Sequence, residues 1–274
     1  MSTPNLHSLA TRIAIVGAAF LLAACGSDKK ETYVEAPVEE LYNAATDLLI
    51  AESYTAAGRL FDEVDRQHPY SVWAAKAELM SAYAQYERNK FDDSIASLDR
   101  FIQLHPGNRD APYAYYLKAL CYYEQIEDVG RDQETTRKAL DGLQEVLRRY
   151  PDSVYARDAR VKIDLTRDHL AGKEMEIGRW YLQQGQYVAA INRFRRVIEV
   201  YQTTSHAPEA LERLTEAYLA LGIRDEAQTA AAVLGYNFPG SKWYKDSYEL
   251  LQEAHVAPQE DKGSWISQAW KSLF

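Results

Sequence analysis

Positive charge is what this sequence is short of. Its 274 residues hold 31 Lys and Arg against 40 Asp and Glu, a formal net charge of −9. A nucleic-acid binder needs a basic footprint to neutralise phosphates, so that class is excluded. Glycine and proline together make 22 residues of 274, too few for a collagen-like or low-complexity polymer. The longest apolar run, Ile13 to Ala24, falls short of the roughly 20 residues that span a bilayer. Catalytic motifs are missing too: there is no phosphate-cradling glycine loop and no Gly-x-Ser-x-Gly elbow. None of the histidines (His7, His68, His105, His169, His206, His255) pairs in a His-Glu-x-x-His zinc spacing. The acidic pairs Glu39-Glu40 and Asp92-Asp93 fall at helix starts, where the helix dipole favours carboxylates, so neither reads as an acid–base pair. No metal, no cofactor and no enzymatic activity are expected. What is present favours helices: 38 alanines against 14 valines. Tyrosine is abundant, 20 against 7 phenylalanines, and such half-polar rings suit surfaces that are touched as well as buried.

Cysteine is almost absent, with Cys25 and Cys121 the two in the chain. Residues 1–24 carry one fixed side-chain charge, Arg12, then the apolar run, then Leu22-Ala23-Ala24-Cys25-Gly26. That order suits a secretory signal, and its end resembles the bacterial lipobox. The resemblance implies cleavage before Cys25, a covalent lipid on its sulfur and acylation of the new amino terminus. With Gly26 rather than Asp after the cysteine, it implies the outer membrane. Cys121 then has no disulfide partner and, in the apolar run Leu117–Tyr123, reads as a small core residue. Residues 25–37, polar and ending at Pro37, read as a lipidated tether.

The remainder repeats. Helical segments end at His68-Pro69, His105-Pro106, Tyr150-Pro151 and Phe238-Pro239. Before each lies a small residue, an aromatic or aliphatic residue four on, and another three on: Ala57/Phe61/Val64, Ser94/Leu98/Phe101, Ala139/Leu143/Val146 and Ala227/Ala231/Leu234. A further set, Ala190/Phe194/Val197, has Gln202 where the proline would stand. Residues four and three apart share a helix face, so each set predicts one buried stripe. The pattern resembles the tetratricopeptide repeat, two antiparallel helices per unit. Its best match is Gly178-x-x-Tyr181, Gly185-x-Tyr187, then Ala190, Phe194 and Val197. The resemblance covers about residues 38–239 and implies an all-α solenoid of about five helix pairs, with a helix at 241–255 capping the last, so that 38–255 is one superhelix. Extra residues, roughly Glu124 to Arg137, fall between the helices of the third unit. Gly172 is expected to kink or break the long run Tyr155–Gln184. Beyond a polar linker, the tail within 256–274 places Trp265, Ile266, Ala269, Trp270, Leu273 and Phe274 on one face. That face fits packing on the chain's own repeats, docking on a partner, or contact with a membrane surface.

In this repeat family, positions five, nine and twelve of each first helix line the concave face. Carried over, they include Tyr42, Tyr83, Tyr86, Tyr116 and Tyr123, a candidate strip for a peptide; plain packing between repeats is the alternative. Arg193, Arg195 and Arg196 form a local basic group, either a solvated face or a contact for an acidic partner.

The order lipobox, short tether, Glu39-Glu40-Leu41-Tyr42-Asn43-Ala44-Ala45, five repeats and cap resembles the BamD family, repeat lipoproteins of the outer-membrane β-barrel assembly machinery. The resemblance implies a non-enzymatic scaffold on the periplasmic side of the outer membrane. Its implied partners are the foldase BamA, bound at its POTRA region through the C-terminal repeats, the other lipoproteins of the complex, and unfolded barrel proteins ending in an aromatic signal. The competing expectation is an envelope adaptor for peptidoglycan enzymes or division proteins.

Overall fold

The structure, a computed structural model, describes residues 35–271; the lipobox with Cys25, most of the tether and the last three tail residues lie outside it. The described residues form α-helices and no strand. The helices run in pairs: α1 (Val38–Ile50) with α2 (Tyr54–Gln67), α3 (Ala74–Glu87) with α4 (Phe91–Leu104), and α5 (Ala111–Tyr123) with α6 (Glu134–Arg149). Then come α7 (Val154–Gln183) with α8 (Tyr187–Val200), and α9 (Ala207–Ala220) with α10 (Arg224–Asn237). α11 (Lys242–Glu253) covers the fifth pair, and α12 (Trp265–Lys271) ends the described chain. Each helix packs chiefly on its neighbours in sequence, the nearly one-dimensional contact pattern of a solenoid.

The repeating stripes are the core. All the triad residues, from Ala57/Phe61/Val64 to Ala227/Ala231/Leu234, are at most 1% exposed. The second helices end alike: the N–H groups of His68, His105, Tyr150, Tyr201 and Phe238 donate to the carbonyls of Val64, Phe101, Val146, Val197 and Leu234. Proline disfavours helical geometry in the residue before it, which explains four of these ends. Tyr201 has the same φ, −126°, with Gln202 after it, so the buried valine and the next helix suffice to set the stop. The turns inside pairs one, two, four and five also coincide. Glu52, Asn89, Gly185 and Gly222 have φ of 56°, 57°, 69° and 74°. Each following N–H reaches a carbonyl five residues back, as in Ser53 N to Leu48 O at 2.8 Å. This closes the helix with a left-handed residue.

Close approach within the pairs needs a small residue opposite a ring. A Cβ on Gly178 would lie 2.4 Å from Phe194 Cε1, inside contact distance. The corresponding position of the first pair is Ala45, fully buried beside Tyr42 and Phe61.

Two expectations are corrected. Gly172 neither kinks into a break nor ends a helix: α7 is continuous over 30 residues. A glycine costs a helix only about 1 kcal/mol relative to alanine, and here it admits neighbours. A Cβ there would come 3.2 Å from His206 Nε2 and 3.6 Å from Val129 Cγ2. The insertion of the third repeat occupies 124–133, because α6 already begins at Glu134. This loop is held by Gln133, whose amide donates to the carbonyls of Asp128, Val129 and Arg131. It is pinned to α7 by Lys173 Nζ donating to Gly130 O at 3.0 Å.

The described part of the tail packs on the chain itself. Ile266 is fully buried, and α12 lies on α10 and α8. Trp265 Nε1 donates to Tyr218 Oη at 3.1 Å, Ser264 Oγ hydrogen-bonds Glu226, and Trp270 meets Phe238 edge-on. Residues 256–264 are no loose linker: Asp261 N donates to Thr229 Oγ1 at 3.1 Å and Gln228 Nε2 to Ala257 O at 2.6 Å.

Gly178→Ala drives a methyl into the Phe194 ring and is expected to destabilise by about 1–3 kcal/mol, as overpacking does. Glu52→Gly removes the cost of a left-handed residue bearing a Cβ and is expected to stabilise by about 1 kcal/mol. Urea unfolding of the two variants, side by side, checks both signs.

Candidate functional site

The tyrosines expected on the concave face separate into two environments. Tyr42 is only 8% exposed and belongs to the core of the first pair, a correction. Its ring lies 5.4 Å from Phe61 and 4.7 Å from Trp73, with Lys76 Nζ 5.5 Å above it. The cause is Trp73, just before α3, which folds over Tyr42.

Tyr83, Tyr86, Tyr116 and Tyr123 are half-buried and carry an aromatic band. Tyr83 and Tyr86 stack at 6.3 Å, and Tyr86 meets Phe91 edge-on at 5.8 Å. Tyr155, from the first turn of α7, stacks on Tyr116 at 5.2 Å and tilts against Tyr113 at 5.3 Å. Lys162 Nζ stands 5.1 Å over the Tyr123 ring. Tyr123 also opens onto a groove of about 380 Å³ lined by Glu124, Ile126, Leu165, Thr166 and His169. Tyr113 and Tyr155 are the members the sequence reading missed. Tyr113 stands three residues before Tyr116, a same-face spacing that was available as a signal. Tyr155 joins from the next repeat, which counting within one helix cannot reveal.

The hydroxyls of Tyr83, Tyr86, Tyr113 and Tyr116 are held protonated. Tyr83 is pushed well above the usual phenol range by its hydrogen bond to Glu87 and by burial. Tyr86 is raised to about 12 by burial and the Glu124 carboxylate. Burial raises Tyr113 and Tyr116, the latter helped by donating to Asp158. At neutral pH these tyrosines are therefore uncharged, with rings for apolar contact and hydroxyl oxygens that, their protons given to Glu87, Glu124 and Asp158, can accept from peptide N–H groups.

Of the corresponding positions of the last two pairs, Arg179, Glu212 and Glu216 are charged, while Met175, Leu182 and Leu219 are apolar. Arg179 Nη1 bonds both Glu209 oxygens at 3.0 and 3.1 Å. Arg213 bonds Glu216 at 2.8 Å and lies 5.7 Å from the Trp243 ring. Glu212 is 3% exposed; burial raises its carboxyl to about 7 although Arg213 is 3.2 Å away. The pair lacks hydrogen-bonding geometry between Glu212 Oε2 and Arg213 Nε, so the ionised carboxylate is poorly compensated.

The basic group is engaged within the chain. Arg193 and Arg196 bond Glu174 at 3.1 and 3.2 Å, tying α8 to α7. Arg195 bonds Glu199 at 2.7 Å and lies 4.7 Å over the Trp265 ring. About half of each side chain stays exposed.

Among the described residues no cluster of His, Cys, Asp and Glu is arranged to hold a metal, and no helix is long and apolar enough to cross a membrane. Cys121 is buried, its thiol raised to about 11 by burial. The family described as YfiO, outer membrane lipoprotein, matches residues 34–234. An outer membrane protein assembly factor BamD of Caulobacter vibrioides is 54% identical, covering 90% of this chain and 82% of its own. The chain belongs to the BamD family. A second BamD, from Rickettsia prowazekii, is 44% identical over 90% of this chain and 98% of its own. The family match runs through all five helix pairs, and it does not favour the peptidoglycan or division adaptor. Among solved structures, the TPR2AB domain of yeast Sti1 in its pHSP90 complex overlays loosely, at 12% identity and a TM-score of 0.43 over 79% of this chain and 84% of that one. The repeat assignment accordingly rests on the helix pairing described above.

Glu212 gives this BamD-family chain a pH signature. Its folded pKa lies above the unfolded value, so the native state holds the proton more tightly between about pH 4.5 and 7. Stability from this group is full below that window and is lost as pH rises through it. Glu212→Gln is expected to flatten this dependence and to stabilise above pH 7 by roughly 1–3 kcal/mol, measured by denaturant unfolding at pH 5 and pH 8.

Proposed function

We propose that this chain is a non-catalytic scaffold of the β-barrel assembly machinery, held on the periplasmic face of the outer membrane by lipid on Cys25. The tyrosine band of the second and third repeats receives the aromatic-ended C-terminal segment of an unfolded barrel protein. The last two repeats dock the foldase BamA at its POTRA region, with the exposed halves of Arg193, Arg195 and Arg196 adding rim charge, and other lipoproteins of the complex occupy remaining faces. The observation that carries the groove is the band itself. Rings of the second repeat stack on one another, and rings of the third meet Tyr155 of the fourth, all of them partly exposed. Buried aromatic anchors hold a peptide by desolvation, and the hydroxyl oxygens can accept from its N–H groups at little entropic cost.

Tyr83→Ala combined with Tyr123→Ala tests this. Each lost anchor costs about 2 kcal/mol or more, so a micromolar peptide ending in an aromatic residue should bind roughly 100-fold more weakly or worse. Melting is read alongside. Binding lost with the melting temperature kept supports the groove; an unchanged peptide affinity refutes it. For the anchor, Cys25→Ser should release the chain from membranes and remove the acyl mass by mass spectrometry.

A further inference from the structure

The most exposed large apolar side chains share one edge of the solenoid. Tyr70 is 100% exposed, Val72 90%, Tyr236 88% and Val154 82%. All four lie where a second helix ends and the next first helix begins. Two of them, Tyr70 and Val72, stand in the single connection between α2 and α3. Beside them a cleft of about 530 Å³ is lined by Val72, Trp73, Lys76, Asn108, Arg109 and Asp110. Lys76 Nζ sits 5.7 Å over the Trp73 ring, and Arg109, with 84% of its side chain exposed, holds Asp110 only at 3.7 Å. A bare tyrosine and valine flanked by a tryptophan and two cations is a poor aqueous surface. It is a good match to the headgroup region of a bilayer, where aromatic rings sit at the interface and cations meet lipid phosphates.

The covalent order of the chain says why this edge would reach one. α1 begins at the same edge, its Tyr42 ring against Trp73. From Cys25 to Val38 there are 13 residue steps, a span of at most about 45 Å. α1 itself is about 20 Å long. A tether lipidated at Cys25 therefore joins the repeats at this edge, one helix length from the opposite edge. We propose that the connection Tyr70–Trp73, with Lys76 and Arg109, rests on the phospholipid surface and inserts Tyr70 and Val72 among its headgroups. This rests on the lipid anchor proposed above.

The test places a photo-crosslinking benzophenone side chain at Tyr70 or Val72 of the full chain in cells, and at Val188 or Ile223 on the opposite edge for comparison. Both pairs are solvent-exposed, so folding is spared. Phospholipid adducts at 70 and 72 should exceed those at 188 and 223 by about tenfold or more, since the opposite edge stands about 20 Å further out. Adducts to protein in place of lipid, equal lipid yields at the two edges, or no lipid adduct at 70 and 72 would each overturn the proposal. Fractionation of the same cells reads the anchor separately. A chain not held at the membrane overturns the anchor and with it the reason for this edge. A chain held there without lipid adducts at 70 and 72 overturns the docked edge alone.

Discussion

The structure depends on one contact made in four of the five pairs: a large side chain of the second helix seated where the first helix presents a glycine or an alanine. Phe194 on Gly178 is the tightest instance, with no room for a methyl. Phe61 with Ala45, and Leu143 with Ala119, are the milder versions, each pair within one buried cluster. Because the approach is short, the triads become fully enclosed and the second helices stop at the same point. The turns are then forced to reverse within a few residues. Left-handed geometry at Glu52 follows from that compression, since glutamate does not favour it, whereas Asn89 is a residue that tolerates it.

Charge repeats along with the packing. Glu78 of α3 bonds Arg100 of α4 at 2.8 Å, and Glu174 of α7 bonds Arg196 of α8 at 3.2 Å. The two pairs are 96 residues apart at both members. Glu78 also faces His105 at 3.4 Å, so the histidine before proline has an electrostatic task as well as its cap. These bridges cross between paired helices at partly buried sites, where a lost partner costs more than at the surface. In the fifth pair the positions are Leu211 and Val233, and the carboxylate has moved one residue on, to Glu212, with no matching cation geometry.

The architecture was legible because the triads recur with fixed internal spacing, and spacing survives even where the residues vary. Ser94 and Ala231 occupy their slots as tightly as alanine and phenylalanine do elsewhere. The site was legible only in part. Tyr42 is closed by Trp73, some thirty positions away in sequence and in the next repeat. Tyr155 enters the band across a repeat boundary, and Glu212 is buried by α11, which lies outside its own pair. Gly172 misled because glycine is read as a helix breaker, while here it is where a loop and His206 lean on a helix long enough to tolerate it. Each miss is a contact between units, which periodicity within a unit does not encode.

α7 belongs to two repeats at once. Its first half closes the third pair and carries Tyr155 into the aromatic band; its second half begins the fourth and carries Glu174 to the arginines of α8. The insertion loop buttresses its middle through Lys173 and Gly172. At about 45 Å, an unbroken helix of this kind resists bending and leaves no turn between the two halves of the solenoid to absorb motion. It acts as an axle. A tilt of the tyrosine end would arrive at the charged end as the same tilt.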